Sequence, residues 1–183
     1  MVAAALLKVF KRHAWSLLAA AAVLLLLGLA LYSPDRQKGL VNHLASGPMS
    51  AIAVADIAAL RVVSGAQRQR FERTAGGWRL AEGGAPADAA TVNAIESGLR
   101  LLHSSPPERI FDTTTAEFGL DPATLQVQLQ AANGQMFEAE FGAANPIGLA
   151  RYTRIRSAGI SSLQLMPGYV AEAWEQVISK GAP

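Results

Sequence analysis

The chain has 183 residues, no cysteine and a formal net charge of +2. This length allows one domain with a buried core, and the lack of cysteine excludes disulfide bonds, thiolate metal sites and a cysteine nucleophile. The excess of positive charge belongs to the N-terminus, because the residues from Pro34 onward carry 13 Lys and Arg against 14 Asp and Glu. A nucleic-acid-binding domain concentrates basic residues where it contacts phosphate, so this distribution argues against nucleic acid as a partner.

An uncharged run of 19 residues, 14–32, follows a short basic tail, 1–13. As a helix the run would be about 28 Å long, close to the hydrocarbon thickness of a bilayer. Trp15 and Tyr32 stand at its two ends, where amphipathic rings favour the membrane interface. The run is apolar on every side rather than on one stripe, which argues against a buried helix of a soluble domain. The sequence therefore predicts a transmembrane helix at 14–32, in contact with membrane lipid and anchored by Trp15 and Tyr32.

A cleaved signal peptide is the alternative interpretation of this run. Gly28-Leu29-Ala30 has the small residues of a cleavage site. The apolar region of a signal peptide usually spans only about 7–15 residues, so the length favours a retained anchor. Basic residues precede the run, and the positive-inside tendency places the tail 1–13 in the cytoplasm and the rest of the chain outside it.

Residues 33–50 are typical of a linker, since glycine and proline interrupt a polar stretch. The predicted folded domain occupies 51–183. Alternating apolar and polar residues predict its first strands, at 57–64, 69–74 and 78–80. A helix then follows Asp88, its predicted N-cap, and runs to about His103.

The second half of the domain contains the clearest pattern in the sequence. Residues 125–129 and 137–141 both alternate apolar and polar side chains, and Asn133-Gly134 lies between them. This arrangement predicts a hairpin with a two-residue type I′ turn. The remaining predicted elements are a strand at 109–112, a helical turn at 116–118, strands at 151–156 and 160–165, and a helix from Pro167 to Gly181.

The strands outnumber the helices and follow one another through short turns. The predicted fold class is therefore α+β: one N-terminal transmembrane helix followed by a mainly antiparallel sheet with about two helices packed on one face.

The segment Phe118-Gly119-Leu120-Asp121-Pro122 resembles a motif of a bacterial domain-of-unknown-function family. Its members are membrane-anchored proteins associated with gliding-motility-type ABC transporters, and they are often longer, with repeated units. The resemblance covers most of 57–165. The other matching pieces are, in order, Gly77-Trp78-Arg79-Leu80, the helix around Ile95 and Leu99, the strand with Leu125, Val127 and Leu129, Phe141-Gly142, and Tyr152 with Arg154.

This resemblance implies a protein of the bacterial inner membrane with its main domain in the periplasm. It also implies partners among other inner-membrane proteins, such as an ABC-type transporter. It supplies no catalytic residues. The chain has one unit rather than several, and this difference from the family weakens the implied transporter association more than the implied fold.

The sequence predicts no catalytic, metal or cofactor site. His43 and His103 lack the spacing and acidic neighbours of a zinc site, and are interpreted as a linker and a helix-end histidine. Glu138 and Glu140 share one side of a strand, but the alternation with apolar residues explains them as a solvated face rather than an acid/base pair.

Tyr152, Arg154 and Arg156 share one side of their predicted strand, and Arg68 and Arg70 are candidates to extend that surface. It is either ordinary solvated sheet or a contact patch for a partner, because Arg and Tyr are enriched in interfaces. The leading hypothesis is a non-enzymatic accessory or scaffold subunit of an inner-membrane protein complex. The alternative is a membrane-tethered binding module for a small anionic or saccharide ligand. A broad exposed patch would favour the first, and a deep polar pocket the second.

Overall fold

The computed structural model describes residues 20–25, 28, 46–112 and 118–180. Residues 20–25 and 28 are helical, and no helix within the described residues is long and apolar enough to cross a membrane. Most of the predicted segment 14–32, with Trp15 and Tyr32, lies outside the described residues. Most of the predicted linker and of the helical turn at 116–118 also lie outside them. The chain divides into two compact units, 1–41 and 42–183, and the second contains the fold described below.

Eight strands form one sheet in this second unit. They are β1 (Ile57–Ser64), β2 (Gln67–Thr74), β3 (Gly77–Leu80), β4 (Arg109–Phe111), β5 (Leu125–Ala131), β6 (Met136–Ala144), β7 (Ala150–Ser157) and β8 (Ile160–Pro167). The order across the sheet is β3-β2-β1-β5-β6-β7-β8-β4, and every neighbouring pair is antiparallel. The prediction of an α+β fold with an antiparallel sheet is confirmed, and the ends of the predicted strands agree with the observed ones to within three residues.

Two α-helices, α1 (Ala89–Ser104) and α2 (Gly168–Lys180), accompany the sheet, and a short 3-10 turn at Val54–Asp56 precedes it. The predicted N-cap is confirmed: the carboxylate of Asp88 accepts a hydrogen bond from the backbone N–H of Thr91 at 2.7 Å. This bond lowers the pKa of Asp88. The helices approach each other closely at Gly98, because a Cβ there would lie only 2.7 Å from the ring of Trp174.

The main core lies between the two helices and one side of the sheet. On β5 the buried side chains alternate with less buried ones, as the sequence pattern predicts, whereas β6 has a continuous buried stretch from Ala139 to Gly142. The largest core side chains are Phe71, Phe137 and Phe141 from the sheet and Ile95, Leu99 and Trp174 from the helices. The opposite side of the sheet, called the open face below, has neither helix packed on it.

The turn between β5 and β6 differs from the predicted one. Gly134 has a φ of 85°, but Asn133 does not have a positive φ. The N–H of Gly134 donates to the carbonyl of Ala131, and the N–H of Ala131 donates to the carbonyl of Gln135. The loop therefore has three residues, a turn followed by a left-handed glycine, and the prediction of a two-residue type I′ turn was wrong. The predicted hairpin itself is confirmed.

We expect Gly134→Val to destabilise the domain by about 1 kcal/mol or more, because a β-branched residue rarely adopts a positive φ. A steric clash would not contribute to this destabilisation, since a Cβ at Gly134 would meet nothing within 4 Å. Gly76→Val is the matched control, in an exposed turn where the glycine has no positive φ. Thermal unfolding followed by circular dichroism would measure both, and equal melting temperatures for the two variants would contradict the prediction.

Candidate functional site: the open face of the sheet

The register of the strands determines which side chains share the open face. Residues directly opposite each other on neighbouring strands point to the same side of a sheet. One row of such partners crosses β2, β1, β5, β6 and β7 as Arg70, Arg61, Gln128, Glu138 and Arg156. The next row contains Arg68, Val63, Gln126, Glu140 and Arg154. All five predicted contact residues, Tyr152, Arg154, Arg156, Arg68 and Arg70, therefore lie on the open face.

The open face is strongly basic. Its strand positions carry seven arginines against three glutamates: Arg61, Arg68, Arg70, Arg79, Arg109, Arg154 and Arg156 against Glu72, Glu138 and Glu140. The other described charges of 46–180 are four basic and nine acidic residues, and none of them occupies a strand position of this face. A domain with a net negative charge thus concentrates its positive charge on one side.

Four charged residues form a network in the middle of this face. The guanidinium of Arg154 donates to Glu140 at 2.9 Å, and that of Arg156 donates to Glu140 at 2.7 Å and to Glu138 at 3.1 Å. Gln128 completes the network by donating to Glu138 at 2.9 Å. The hydrogen bond with Glu138, together with that to Glu140, raises the pKa of Arg156 above its ordinary value.

The network is less solvated than the sequence predicts. Glu140 is only 7% exposed, so its interpretation as part of a solvated face was wrong. The side chain of Arg154 is 16% exposed, whereas that of Arg156 is 43% exposed. Arg154 is partly covered because it lies opposite the buried Leu163 on one side and Glu140 on the other. Its first role is therefore to neutralise Glu140, and Arg156 is the more accessible of the two.

Tyr152 belongs to an aromatic cluster at one corner of the open face. Its ring stacks on Phe118 at a centroid distance of 4.3 Å, and Phe111 lies 5.8 Å from Phe118. The chain at Phe118 crosses β6 at Gly142, where a Cβ would lie only 2.3 Å from the Phe118 carbonyl oxygen. Phe118-Gly119, Gly142 and Tyr152, which belong to separate segments of the chain, thus meet in this corner.

The exposed arginines of the open face are Arg61 on β1, Arg68 and Arg70 on β2, Arg79 on β3 and Arg109 on β4. Arg61 and Arg70 are exposed and directly opposite each other, although like charges in such positions repel. Arg70 has a loose ion pair with Glu72 at 3.5 Å, and Arg61 and Arg68 have no ion-pair partner among the described residues. An open groove of about 200 Å³ runs beside them. Its lining residues are Ala59, Leu60, Arg61, Arg70, Gln128, Leu129, Gln130 and Met136.

Arg61 was not among the residues predicted from the sequence. The signal was its position between Leu60 and Val62, two apolar residues of a predicted strand, which points it away from the core. Its pairing with Arg70 needed the register as well. A second open groove, of about 400 Å³, lies along β6 and β7 near Gln128, Glu138 and Arg156. Within the described ranges, no group of three histidine or acidic residues could hold a metal ion.

Comparisons of this chain with protein-family models, with curated proteins and with solved structures found no match.

We expect Glu140→Ala to destabilise the domain by about 3 kcal/mol or more, because it leaves the largely buried Arg154 without its ion-pair partner. Glu72→Ala is the matched control, since the Arg70–Glu72 pair is on the same face but its side chains are 57% and 53% exposed. The free energy of unfolding lost in Glu72→Ala should stay within about 1 kcal/mol. Urea denaturation would measure both, and a similar small loss for the two variants would show that the network is ordinary surface.

Proposed function

We propose that this chain is a membrane-tethered, non-enzymatic accessory or scaffold subunit that binds an acidic surface of another inner-membrane protein through the open face. The observation that supports this proposal most directly is the separation of charge: seven arginines on one side of a sheet, in a domain that is otherwise acidic. Complementary charge guides a partner to such a surface and favours one orientation of binding.

The dimensions of the open face also suit a protein partner. Eight strands spaced by about 4.8 Å extend over about 34 Å, and strands of eight residues are about 25 Å long. The product, on the order of 800 Å², equals the area that each partner contributes to a standard protein interface. Exposed arginines and Tyr152 are residues that such interfaces enrich.

The tether rests on the sequence. The uncharged run 14–32, with Trp15 and Tyr32 at its ends, is our basis for a transmembrane anchor with a cytoplasmic tail and an extracytoplasmic domain. The family resemblance would make the partner a component of an ABC-type transporter. A tether confines the domain beside its partner, and this raises the effective concentration for even a weak contact.

A small anion is a second candidate for the open face. The groove beside Arg61 and Arg70 offers two guanidinium groups and the amides of Gln128 and Gln130, which suit a carboxylate, a phosphate or an acidic saccharide. We rank this function second because the groove is open and smaller than the pockets of about 300–1,000 Å³ that enclose most small ligands.

The first test is topology. A reporter fused after Pro183 should be active only in a form that works outside the cytoplasm, because the basic residues before the apolar run should stay inside. Activity of a cytoplasmic reporter at the same position would contradict the tether. N-terminal sequencing of the mature protein is the companion measurement, since a protein that begins near Leu31 would indicate a cleaved signal peptide.

The second test concerns the open face. We expect Arg61→Glu and Arg70→Glu each to reduce the amount of partner that co-purifies with the chain in mild detergent, because reversed charges meet an acidic surface with repulsion. Arg100→Glu is the matched control, an exposed arginine on α1 outside the open face. Folding should stay intact in all three variants, within about 0.5 kcal/mol.

Three outcomes separate the functions. Loss of a co-purifying protein in the open-face variants alone supports the accessory subunit. Unchanged co-purification together with loss of phosphate or carboxylate binding, measured by calorimetry, supports the small-anion candidate. Equal behaviour of all three variants in both measurements would contradict the open face as a binding surface.

A further inference from the structure

Three apolar or aromatic side chains are exposed together at one end of the sheet. Ile147 and Leu149, in the loop between β6 and β7, are 73% and 70% exposed, and Tyr169, in the first turn of α2, is 49% exposed. The two segments are in contact, because the N–H of Gly168 donates to the carbonyl of Leu149 at 2.8 Å. These three residues are called the apolar tip below.

The loop that carries the apolar tip is held in a defined shape. The side-chain oxygen of Asn145 accepts hydrogen bonds from the N–H groups of Leu149 and Ala150, at 3.0 and 3.2 Å. The N–H of Gly148 donates to the carbonyl of Asn145 and closes a turn. Leu149 is therefore exposed by a loop that its own hydrogen bonds hold in one shape.

The chain enters the folded domain at the same end. The N–H of Gly47 donates to the carbonyl of His103, in the last turn of α1. The end of α1 is close to the start of α2, because the N–H of Glu108, four residues after α1, donates to the carbonyl of Leu165, three residues before α2, at 2.8 Å. Gly98 of α1 contacts Trp174 of α2. Gly98 is six residues before Ser104, the last residue of α1, and Trp174 is six residues after Gly168, the first residue of α2. The last turn of α1 therefore lies beside the first turn of α2.

This alignment places the point of entry close to the apolar tip. Packed helices are separated by about 8–10 Å, so Gly47 is on the order of 10 Å from the start of α2. Only 13 residues, 33–45, separate the apolar run 14–32 from the first described residue of the domain. Such a segment spans at most about 45 Å when fully extended. The segment 33–45 therefore joins the domain at the end that carries the apolar tip.

Among the residues that the structure describes, no comparable patch lies at the other end of the sheet. Met136 and Ile160 are exposed there, at 52% and 72%. Met136 lies opposite Gln130 and therefore belongs to the open face. Ile160 is on the core side of the sheet, because it is two residues from Ser162, which lies opposite the core residue Ile155. The two side chains therefore point to opposite sides of the sheet.

We propose that the apolar tip rests on the surface of the lipid bilayer, with Ile147 and Leu149 inserted at the level of the headgroups and Tyr169 at the interface. This inference depends on the membrane tether of the proposed function. The transfer of aliphatic side chains from water to the membrane interface is favourable. Tyrosine also favours the interface, because its ring is apolar and its hydroxyl is polar. A single weak insertion is sufficient when a tether already supplies the local concentration.

The absence of cysteine in the sequence allows a direct test with the full chain. Ile147→Cys, labelled with an environment-sensitive fluorophore, is reconstituted in vesicles of phosphatidylcholine and phosphatidylglycerol. Ala132→Cys, labelled in the same way, is the matched control, because Ala132 is exposed in the loop at the opposite end of the sheet. We expect lipids with a spin label on the acyl chain to quench the probe at position 147 several-fold more strongly than the probe at position 132.

A second variant tests the role of the patch itself. Adding Leu149→Ser and Tyr169→Ser to the labelled Ile147→Cys chain should reduce this quenching towards the value at position 132. Circular dichroism checks that the fold is retained. Unchanged quenching in this variant would contradict insertion of the apolar tip.

Flotation of the vesicles after a wash at high pH separates this inference from the proposed function. A chain that does not float lacks the tether, and the proposed function then fails. A chain that floats but has equal quenching at positions 147 and 132 retains the tether and overturns the apolar tip. A probe at position 147 that is shielded from an aqueous quencher but not quenched by lipid would indicate a protein contact, and this also overturns the inference.

Discussion

The pairing of β5 with β6 determines what each side of the sheet presents. In this register Leu129 lies opposite Phe137 on the core side, and Gln128 lies opposite Glu138 on the open face. A slip of one residue would exchange the two sides and expose the aromatic core while burying carboxylates. The other strands extend the sheet outward from this hairpin, β1 on one side and β7 on the other, and keep the same alternation. The basic open face is therefore a consequence of one pairing repeated across the sheet.

Electrostatics favours the same register. Glu140 is buried and needs a cation, and β7 supplies Arg154 directly opposite it and Arg156 two residues away. Any shift of β7 against β6 by one residue would place Ile155 beside a carboxylate and an arginine beside the core. A buried ion pair adds little net stability over apolar side chains, but removing one partner strongly destabilises the fold. We therefore infer that the pair selects one alignment of the two strands. Hydrophobic pattern and charge pattern thus specify the same fold.

Much of the fold could be predicted from the sequence because alternation and helical periodicity record which side chains face the core. The turn at Asn133-Gly134 could not, since this dipeptide suits both a type I′ turn and the observed three-residue loop. In the structure the Asn133 side chain accepts a hydrogen bond from the N–H of Gln135 instead of adopting a positive φ. The burial of Glu140 was also invisible, because Glu138 and Glu140 have similar neighbours in sequence and differ only in what β7 places around them.

The open face could be predicted only in part. The sequence shows that Tyr152, Arg154 and Arg156 share one side of a strand, and similarly Arg68 and Arg70, but it does not show that β2 and β7 present these residues on the same side of one sheet. That fact depends on β1 and β5, which lie side by side although β2, β3, α1 and β4 separate them in the chain. The apolar tip was missed because Ile147 and Leu149 are single apolar residues in a loop. Only the contact of their loop with α2 shows that they lie close to the exposed Tyr169.

The two surfaces are compatible in a single arrangement. The strands run from the apolar tip at one end of the sheet to the turns at 132–134 and 158–159 at the other. If the tip rests on lipid, the strands rise from the bilayer and the open face is directed sideways, parallel to the membrane plane. Its arginines would then be directed towards the proposed partner beside the domain rather than towards the headgroups. Lipid contact would remove rotational freedom before the partner arrives, and this lowers the entropy cost of binding through the open face.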